Sequence, residues 1–319
     1  MLESSVKTIL EILLTVTYIY PFLWSKTVQI FPFIDPSSEF QRGMAFFLLE
    51  FIRSKLFDLP FTLYFSFVIE ERHGFNKKTL KLFFKDMFLE FLLISIISPI
   101  LLFFYIYLIE NGGRFFFIYV ELFLIIFIFI MMWIYPNFIA PLFNKFTELE
   151  KDYPDLLAAI TTLSNSIKFP LKKVYIMDGS TRSAHSNAYF YGFGNNKRIV
   201  LFDTLVKQMK EKEIVAVMGH ELGHWKMAHM PKNLALIIIK TTIYIYMLSF
   251  FLNEPGLYLS YGFNEKSILM GSLLFSNLIS PVEFLTSFKE NKEFFFSRSH
   301  ISWNWWLWDY LDILNSKSF

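Results

Sequence analysis

Long apolar segments, separated by shorter polar ones, occupy most of the chain. A helix of about 20 apolar residues is long enough to cross the 30 Å hydrocarbon layer of a bilayer. Several segments reach that length or come close to it. The sequence therefore predicts six membrane spans, at residues 6–24, 44–69, 87–108, 115–135, 233–252 and 268–288.

Between the fourth and fifth predicted spans the composition changes to that of a water-exposed module. Residues 155–167 have the apolar spacing of an amphipathic helix, and residues 173–178 are typical of a short strand. Residues 187–192 and 198–203 predict two more strands joined by a glycine-containing hairpin. Residues 211–226 begin with acidic residues and continue with apolar residues at helical spacing, which predicts a helix after this small sheet.

The last of these helices carries the string His-Glu-Leu-Gly-His. Two histidines four residues apart lie one turn apart on the same helix face. At that spacing His220 and His224 can bind one zinc ion, while Glu221 lies beside the metal and can take a proton from water. The string therefore predicts a zinc site for peptide hydrolysis, and two ordinary helix histidines are the competing interpretation.

These features divide the chain into four predicted parts. They are an N-terminal membrane region with four spans (1–143), a cytosolic-side zinc peptidase insert (144–232), two further spans (233–288) and an atypical C-terminal tail (289–319). The tail contains four of the seven tryptophans, which is typical of an anchor at the membrane interface. In the insert, an exposed edge strand would be able to align an extended peptide, and an ordinary hairpin is the alternative.

The composition agrees with a membrane protein. Of the 319 residues, 54% are hydrophobic and 18% are charged, and 41 are phenylalanine. The net charge of +2 is too small to indicate a nucleic-acid partner, and the absence of cysteine excludes disulfides, thiolate zinc sites and a cysteine nucleophile. Glu50 and Arg53 lie inside the second predicted span, where they form either an ion pair or part of a water-filled cavity.

Four long strings make the chain similar to a known family. In order they are VIEERHGFNKKT, PNFIAPLFNKFTELE, YIMDGSTRSAHSNAYFYGFGNNKRIVLFDTL and AVMGHELGHWKMAH. With these strings the chain resembles the type I CAAX prenyl proteases, integral-membrane zinc metallopeptidases of the a-factor-converting type. The resemblance runs from the first predicted span to about Arg298, and relative to the family pattern we expect truncation at both ends.

The resemblance implies a mainly α fold, in which a polytopic membrane helical barrel encloses a chamber and carries a small α+β zinc peptidase insert. It implies a zinc endopeptidase of the endoplasmic reticulum membrane, and of the inner nuclear membrane, that removes the last three residues of prenylated CAAX proteins. The motif histidines would be zinc ligands, and the motif glutamate would be the general base that acts on zinc-activated water. The substrate would be aligned by a strand that contains Asn187, Ala188 and Tyr189.

One departure from the family pattern concerns the third zinc ligand. Family members continue after Ser-Arg with Glu-x-x-Ala-Asp, whose glutamate binds zinc, whereas Ile301 stands at that position here. His300 is the best-placed substitute, and Glu283, Glu293 and Asp309 are the other candidates. The alternatives are therefore a catalytically impaired or truncated scaffold of the same family, or a peptidase for membrane-protein quality control.

Overall fold

The structure is a computed structural model that describes the backbone of residues 19–293 and the side chains of residues 19–280. The start of the first predicted span and most of the predicted C-terminal tail lie outside the described residues. The described chain forms two compact units. Unit 1 comprises residues 19–61, 96–121 and 241–293, and unit 2 comprises residues 62–95 and 122–240.

Helices account for most of the described chain. They are α1 (Ile19–Ile30), α2 (Glu39–Tyr64), α3 (Leu80–Asn111), α4 (Phe116–Ile134), α5 (Ala140–Phe143), α6 (Pro154–Ser166), α7 (Asp203–Gln208), α8 (Glu211–Lys226), α9 (His229–Phe251), α10 (Pro255–Ser260) and α11 (Ile268–Glu293). Two π-helical turns follow α2 and α4, at Phe65–Glu70 and Tyr135–Ile139.

Three helical stretches among residues 19–293 are long and apolar enough to cross a membrane: Leu80–Asn111, Gly113–Phe143 and His229–Phe251. Large apolar side chains such as Ile96 on α3 and Phe250 on α9 point outward along them. Water-soluble proteins rarely expose continuous apolar surface on this scale, whereas a bilayer covers it. These stretches coincide with three of the predicted spans, and the total of six stays a prediction.

Unit 1 has an aromatic core with a polar cluster beside it. Arg42 lies over the ring of Trp24, 4.3 Å from its centroid, and pairs with Glu265 at 2.6 Å. Glu265 also accepts a hydrogen bond from the indole N–H of Trp24. On α2, Arg53 donates to both oxygens of Glu50, so these two charges form the predicted ion pair. The buried core residues are Tyr20, Trp24, Phe46, Leu257, Tyr258, Phe263, Met270 and Leu274.

Unit 2 contains a four-stranded sheet in the order β1-β2-β4-β3, built from β1 (Phe146–Glu148), β2 (Leu171–Met177), β3 (Ala188–Tyr191) and β4 (Lys197–Phe202). Strands β2 and β4 pair in parallel, and the other two pairs are antiparallel. The predicted strand before residue 178 and the predicted hairpin are confirmed. Strand β1 was not predicted, because its three residues are too few to show an alternating pattern.

Helices α6 and α8 pack against this sheet. The apolar side of α8 is buried with Ile160 of α6 and with the central strand β4, whose Ile199 and Leu201 are completely buried. Full burial of such a side chain contributes about 1.5 to 3 kcal/mol. The rings of Phe169 and Trp225 meet edge to face with their centroids 5.0 Å apart, near the end of α8. The helix that carries the histidine motif is therefore fixed on a rigid core.

Candidate metal centre

Helix α8 buries one side and presents the motif histidines on the other. Ile214, Met218 and Leu222 form the buried stripe. Each residue advances about 100° around a helix, so His220 and His224 lie about 200° from Met218 and Leu222 respectively. The same packing that fixes the helix therefore directs both imidazoles away from the apolar core.

The two motif histidines face each other through corresponding ring atoms. Their Nε2 atoms are 3.1 Å apart, and their ring centroids are 4.7 Å apart with the planes nearly perpendicular. Two nitrogens bound to one tetrahedral zinc at about 2.0 to 2.1 Å would be separated by about 3.3 Å. The imidazoles of His220 and His224 thus converge nearly as they would on a shared ion, and imidazole nitrogen is a preferred zinc donor. The described residues fit zinc.

The third ligand is not among the described side chains. Among the described side chains, residues 19 to 280, no group of three histidine, aspartate or glutamate side chains is placed to bind one ion. His300 and Asp309 lie outside the described residues, as do the side chains of Glu283 and Glu293. The identity of the third ligand stays a prediction.

Glu221 is half-buried and follows the first motif histidine. Around the helix it lies about 60° from His224 and about 100° from His220. A carboxylate at this angle is beside the point where the two imidazoles meet. The proton-transfer role of Glu221 stays a prediction.

A third histidine, which the sequence interpretation did not single out, lies against the motif. The Nδ1 atom of His229, the first residue of α9, is 2.7 Å from Nδ1 of His224, and the ring centroids are 4.9 Å apart. A compositional signal was present, because three of the six histidines in the chain lie between residues 220 and 229.

Strand β3, which holds two of the predicted substrate-binding residues, lies at the edge of the sheet and packs against α8. Asn187 directly precedes it, and the N–H of Phe202 donates to the carbonyl of Asn187. Peptide groups alternate in an antiparallel pair, so those of Ala188 point away from β4, toward the free edge. The N–H of Ala188 donates to Oδ1 of Asn187 at 2.8 Å. Burial raises the pKa of Tyr189, which keeps its phenol neutral.

A second polar cluster in unit 2 joins distant parts of the sequence. Arg182 donates to both carboxylate oxygens of Asp86, at 2.9 and 2.8 Å, and to Oδ1 of Asn144 at 3.0 Å. Near it, the ring of His185 stacks on Phe75 with centroids 4.1 Å apart. These contacts attach the loop before β3 to the segments around α3 and α5.

Comparison with known proteins places this chain in a family. A family model described as CAAX prenyl protease N-terminal, five membrane helices, matches residues 1–145, and a model of peptidase family M48 matches residues 150–294. The CAAX prenyl protease 1 homolog of Dictyostelium discoideum is 35% identical over 303 residues, which cover 94% of this chain and 70% of that protein. The chain belongs to the CAAX prenyl protease family. The three membrane-length helical stretches agree with a multi-pass membrane protein of that family.

Other family members agree. The CAAX prenyl protease 1 homolog of Arabidopsis thaliana is 43% identical over 276 residues, or 86% of this chain, and the Homo sapiens homolog is 36% identical over 309 residues, or 84% of this chain. The chain spans 65% of the length of each of these two relatives.

The fold is also that of a solved family member. The crystal structure of S. mikatae Ste24p superposes with a TM-score of 0.78 and 33% identity, over 85% of this chain and 67% of that one. This match confirms the predicted fold class, a mainly α polytopic membrane protein with a small α+β insert.

Proposed function

We propose that this protein is a zinc endopeptidase that removes the last three residues of prenylated CAAX proteins. The observation that supports it most directly is the convergence of His220 and His224, with Nε2 atoms 3.1 Å apart, on a helix fixed by its buried opposite side. Family members named CAAX prenyl protease 1 supply the substrate class.

In this proposal His220 and His224 bind zinc through Nε2, and a third ligand comes from Glu283, Glu293, His300 or Asp309. Zinc bound there would polarise the substrate carbonyl and activate a water molecule. The remaining chemistry belongs to the side chains of the protein.

Glu221 acts as the general base. Its carboxylate takes a proton from the attacking water and gives that proton to the nitrogen of the departing amine, so the carboxylate is regenerated in each turnover. The buried stripe of α8, which fixes the helix, supports this placement of Glu221. General acid–base catalysis of this kind contributes about a hundredfold to ten-thousandfold in rate.

The edge of β3 aligns the substrate. An extended peptide can add to a free strand edge through main-chain hydrogen bonds. The outward carbonyl of Ala188 is an acceptor for such a peptide, and its N–H is a donor once Oδ1 of Asn187 moves aside.

The membrane setting suits a lipidated substrate. A prenyl chain gains about 0.8 kcal/mol for each carbon that it buries in lipid, so prenylated proteins concentrate at the bilayer in which this enzyme lies. The family resemblance implies the endoplasmic reticulum membrane, and we propose this location for the protein. The inner nuclear membrane is a second location.

The proposal is tested by measuring metal content and turnover on the same preparation. The full chain purified in detergent without chelator should contain about one zinc per molecule and cleave a farnesylated CAAX peptide after the modified cysteine. Glu221→Gln should keep the zinc and lose about a hundredfold to ten-thousandfold in turnover.

Two controls separate the alternatives. The same peptide without its farnesyl group should be a poor substrate, and equal cleavage of both peptides would favour a quality-control peptidase. A protein that contains zinc and cleaves neither peptide would be a scaffold of the same family, and a zinc-free preparation would contradict the metal site itself.

A further inference from the structure

We propose that His229 is a positioning residue that orients His224 toward the metal. This inference rests on the zinc site proposed above. Its basis is the 2.7 Å contact between Nδ1 of His229 and Nδ1 of His224, on the side of the His224 ring opposite the atom that faces His220.

His229 is not placed to be a ligand of the same ion. The two nitrogens of an imidazole direct their lone pairs or protons outward in different directions. His224 uses Nε2 toward His220 and Nδ1 toward His229, so a single ion beside Nε2 of His224 lies away from the His229 contact. The described residues accordingly offer no cluster of three ligating side chains.

The tautomer of His224 gives His229 its role. A neutral imidazole that binds metal through Nε2 has its proton on Nδ1, and that N–H requires an acceptor. Nδ1 of His229 is the atom at hydrogen-bonding distance, and it accepts when the proton of His229 is on Nε2. Such a contact fixes both the ring orientation and the tautomer of a ligand, and its loss typically weakens metal binding about 10-fold to 100-fold.

The turn between α8 and α9 produces this contact. Ala228 has a φ angle of 55°, in the left-handed region that residues other than glycine seldom occupy. The N–H of Met227 donates to the carbonyl of Gly223, and that of Ala228 donates to the carbonyl of Trp225. The chain therefore turns within two residues of the end of α8, and α9 begins with its first side chain beside the motif.

The inference is tested by the rate at which the full chain releases zinc to a chromogenic chelator. His229→Leu removes the acceptor at similar volume and should release zinc about 10 to 100 times faster than the unsubstituted protein. His229→Gln retains an amide oxygen that can accept, so its release rate should lie closer to that of the unsubstituted protein. His73→Leu is the matched control, because His73 is an exposed turn residue far along the chain from the motif, and its rate should not change.

The outcomes distinguish this inference from the proposed function. If the unsubstituted protein contains no zinc, the zinc site fails and the inference with it. If that protein contains zinc and His229→Leu releases it at the unsubstituted rate, His229 has no positioning role while the zinc site stands. Should His229→Leu not fold, His229→Met, whose thioether is at most a weak acceptor, provides the same comparison with His229→Gln.

A second measurement reports ligand geometry without turnover. Cobalt bound in place of zinc absorbs visible light with a spectrum set by the arrangement of its ligands. His229→Leu should shift the cobalt bands and His229→Gln should largely restore them. Identical spectra for all three proteins would overturn the inference, because His224 would then keep its orientation without an acceptor at position 229.

Discussion

Two polar clusters in unit 2 differ in what completes them. In the first, each of the three guanidinium nitrogens of Arg182 donates to Asp86 or Asn144, and the positive charge meets a negative one. In the second, His220 and His224 turn the same kind of atom, Nε2, toward each other. The first cluster is complete as it stands, and under the proposed function a metal ion completes the second.

This difference gives a way to distinguish polar groups that stabilise the fold from polar groups that bind metal. Two unprotonated imidazole nitrogens 3.1 Å apart repel each other unless a proton or a metal lies between them. A complementary ion pair has no such requirement. The first cluster should therefore affect stability regardless of metal, and the second should affect stability chiefly through metal.

The largest effect on the free energy of unfolding should come from His224→Leu. A ligand that binds only the folded state stabilises it by about 4 kcal/mol at a thousand times its dissociation constant, and this variant should lose that contribution entirely. Metal-free His224→Leu should lose only the contact with His229, about 1 kcal/mol, relative to metal-free unsubstituted protein. The measurement is thermal unfolding in detergent with zinc and with chelator, and a large loss of stability in chelator would contradict the comparison.

The next largest effect should come from Arg182→Leu. Its side chain and that of Asp86 are 15% and 18% exposed, and breaking a largely buried pair by removing one partner costs about 3 kcal/mol. The loss should be equal with zinc and with chelator. The double variant Arg182→Leu/Asp86→Leu should recover part of it, because no unpaired charge remains. A loss that depends on zinc would place Arg182 in the metal centre instead.

Asp203 should have a smaller, pH-dependent effect on the stability of the fold, and this effect should not depend on metal. Burial alone would raise its pKa, but hydrogen bonds from Lys207 and Ser180 outweigh burial and hold the pKa below the ordinary 3.8. Because the folded-state pKa is lowered, the stabilisation is present above pH 3.8 and is lost as the pH falls through the folded-state value.

Asp203→Asn should therefore cost about 1.5 kcal/mol near neutral pH and almost nothing in strong acid. Unfolding temperatures of the variant and the unsubstituted protein, measured from pH 6 down to about pH 2, should converge at the acid end. A constant difference across that range would show that the carboxylate charge makes no contribution.

The smallest effect should come from Ala228→Gly. A residue other than glycine in the left-handed region is strained, so glycine at φ 55° should stabilise the fold by about 1 kcal/mol. The same change at Lys168, which has φ 63° after α6, should stabilise by a similar amount. Denaturant midpoints report both. If the zinc release rate of Ala228→Gly stays unchanged, the turn acts by placing His229 beside His224, and the backbone strain at residue 228 has no effect on the metal site.

The sequence predicted the parts of unit 2 that repeat a local pattern. Helix α8 follows from acidic residues at its start and apolar residues at helical spacing, and the hairpin of β3 and β4 follows from two strand-like runs around glycine. The two motif histidines follow from their spacing on that helix. Each of these depends on neighbours within one turn or one hairpin.

The parts that were missed depend on contacts between distant residues or on an unfavourable backbone. Strand β1 exists because Phe146 and its neighbours pair with β2, about thirty residues later. His229 meets His224 because an alanine adopts the left-handed conformation, for which glycine would have been the expected signal. The pairing of Arg182 with Asp86 joins residues 96 positions apart, a distance at which no periodicity applies.

Helix α9 begins at His229 and runs to Phe251 as one of the stretches apolar enough to cross a bilayer. His229, which contacts His224, is thus the first residue of a membrane-length helix. The position of that helix along the bilayer normal depends on the surrounding lipid. A transmembrane helix responds to a thinner or thicker bilayer by changing its tilt or its position in the bilayer. Acyl-chain length consequently becomes an experimental variable, and zinc release rates from different detergents or nanodiscs are comparable only at matched hydrophobic thickness.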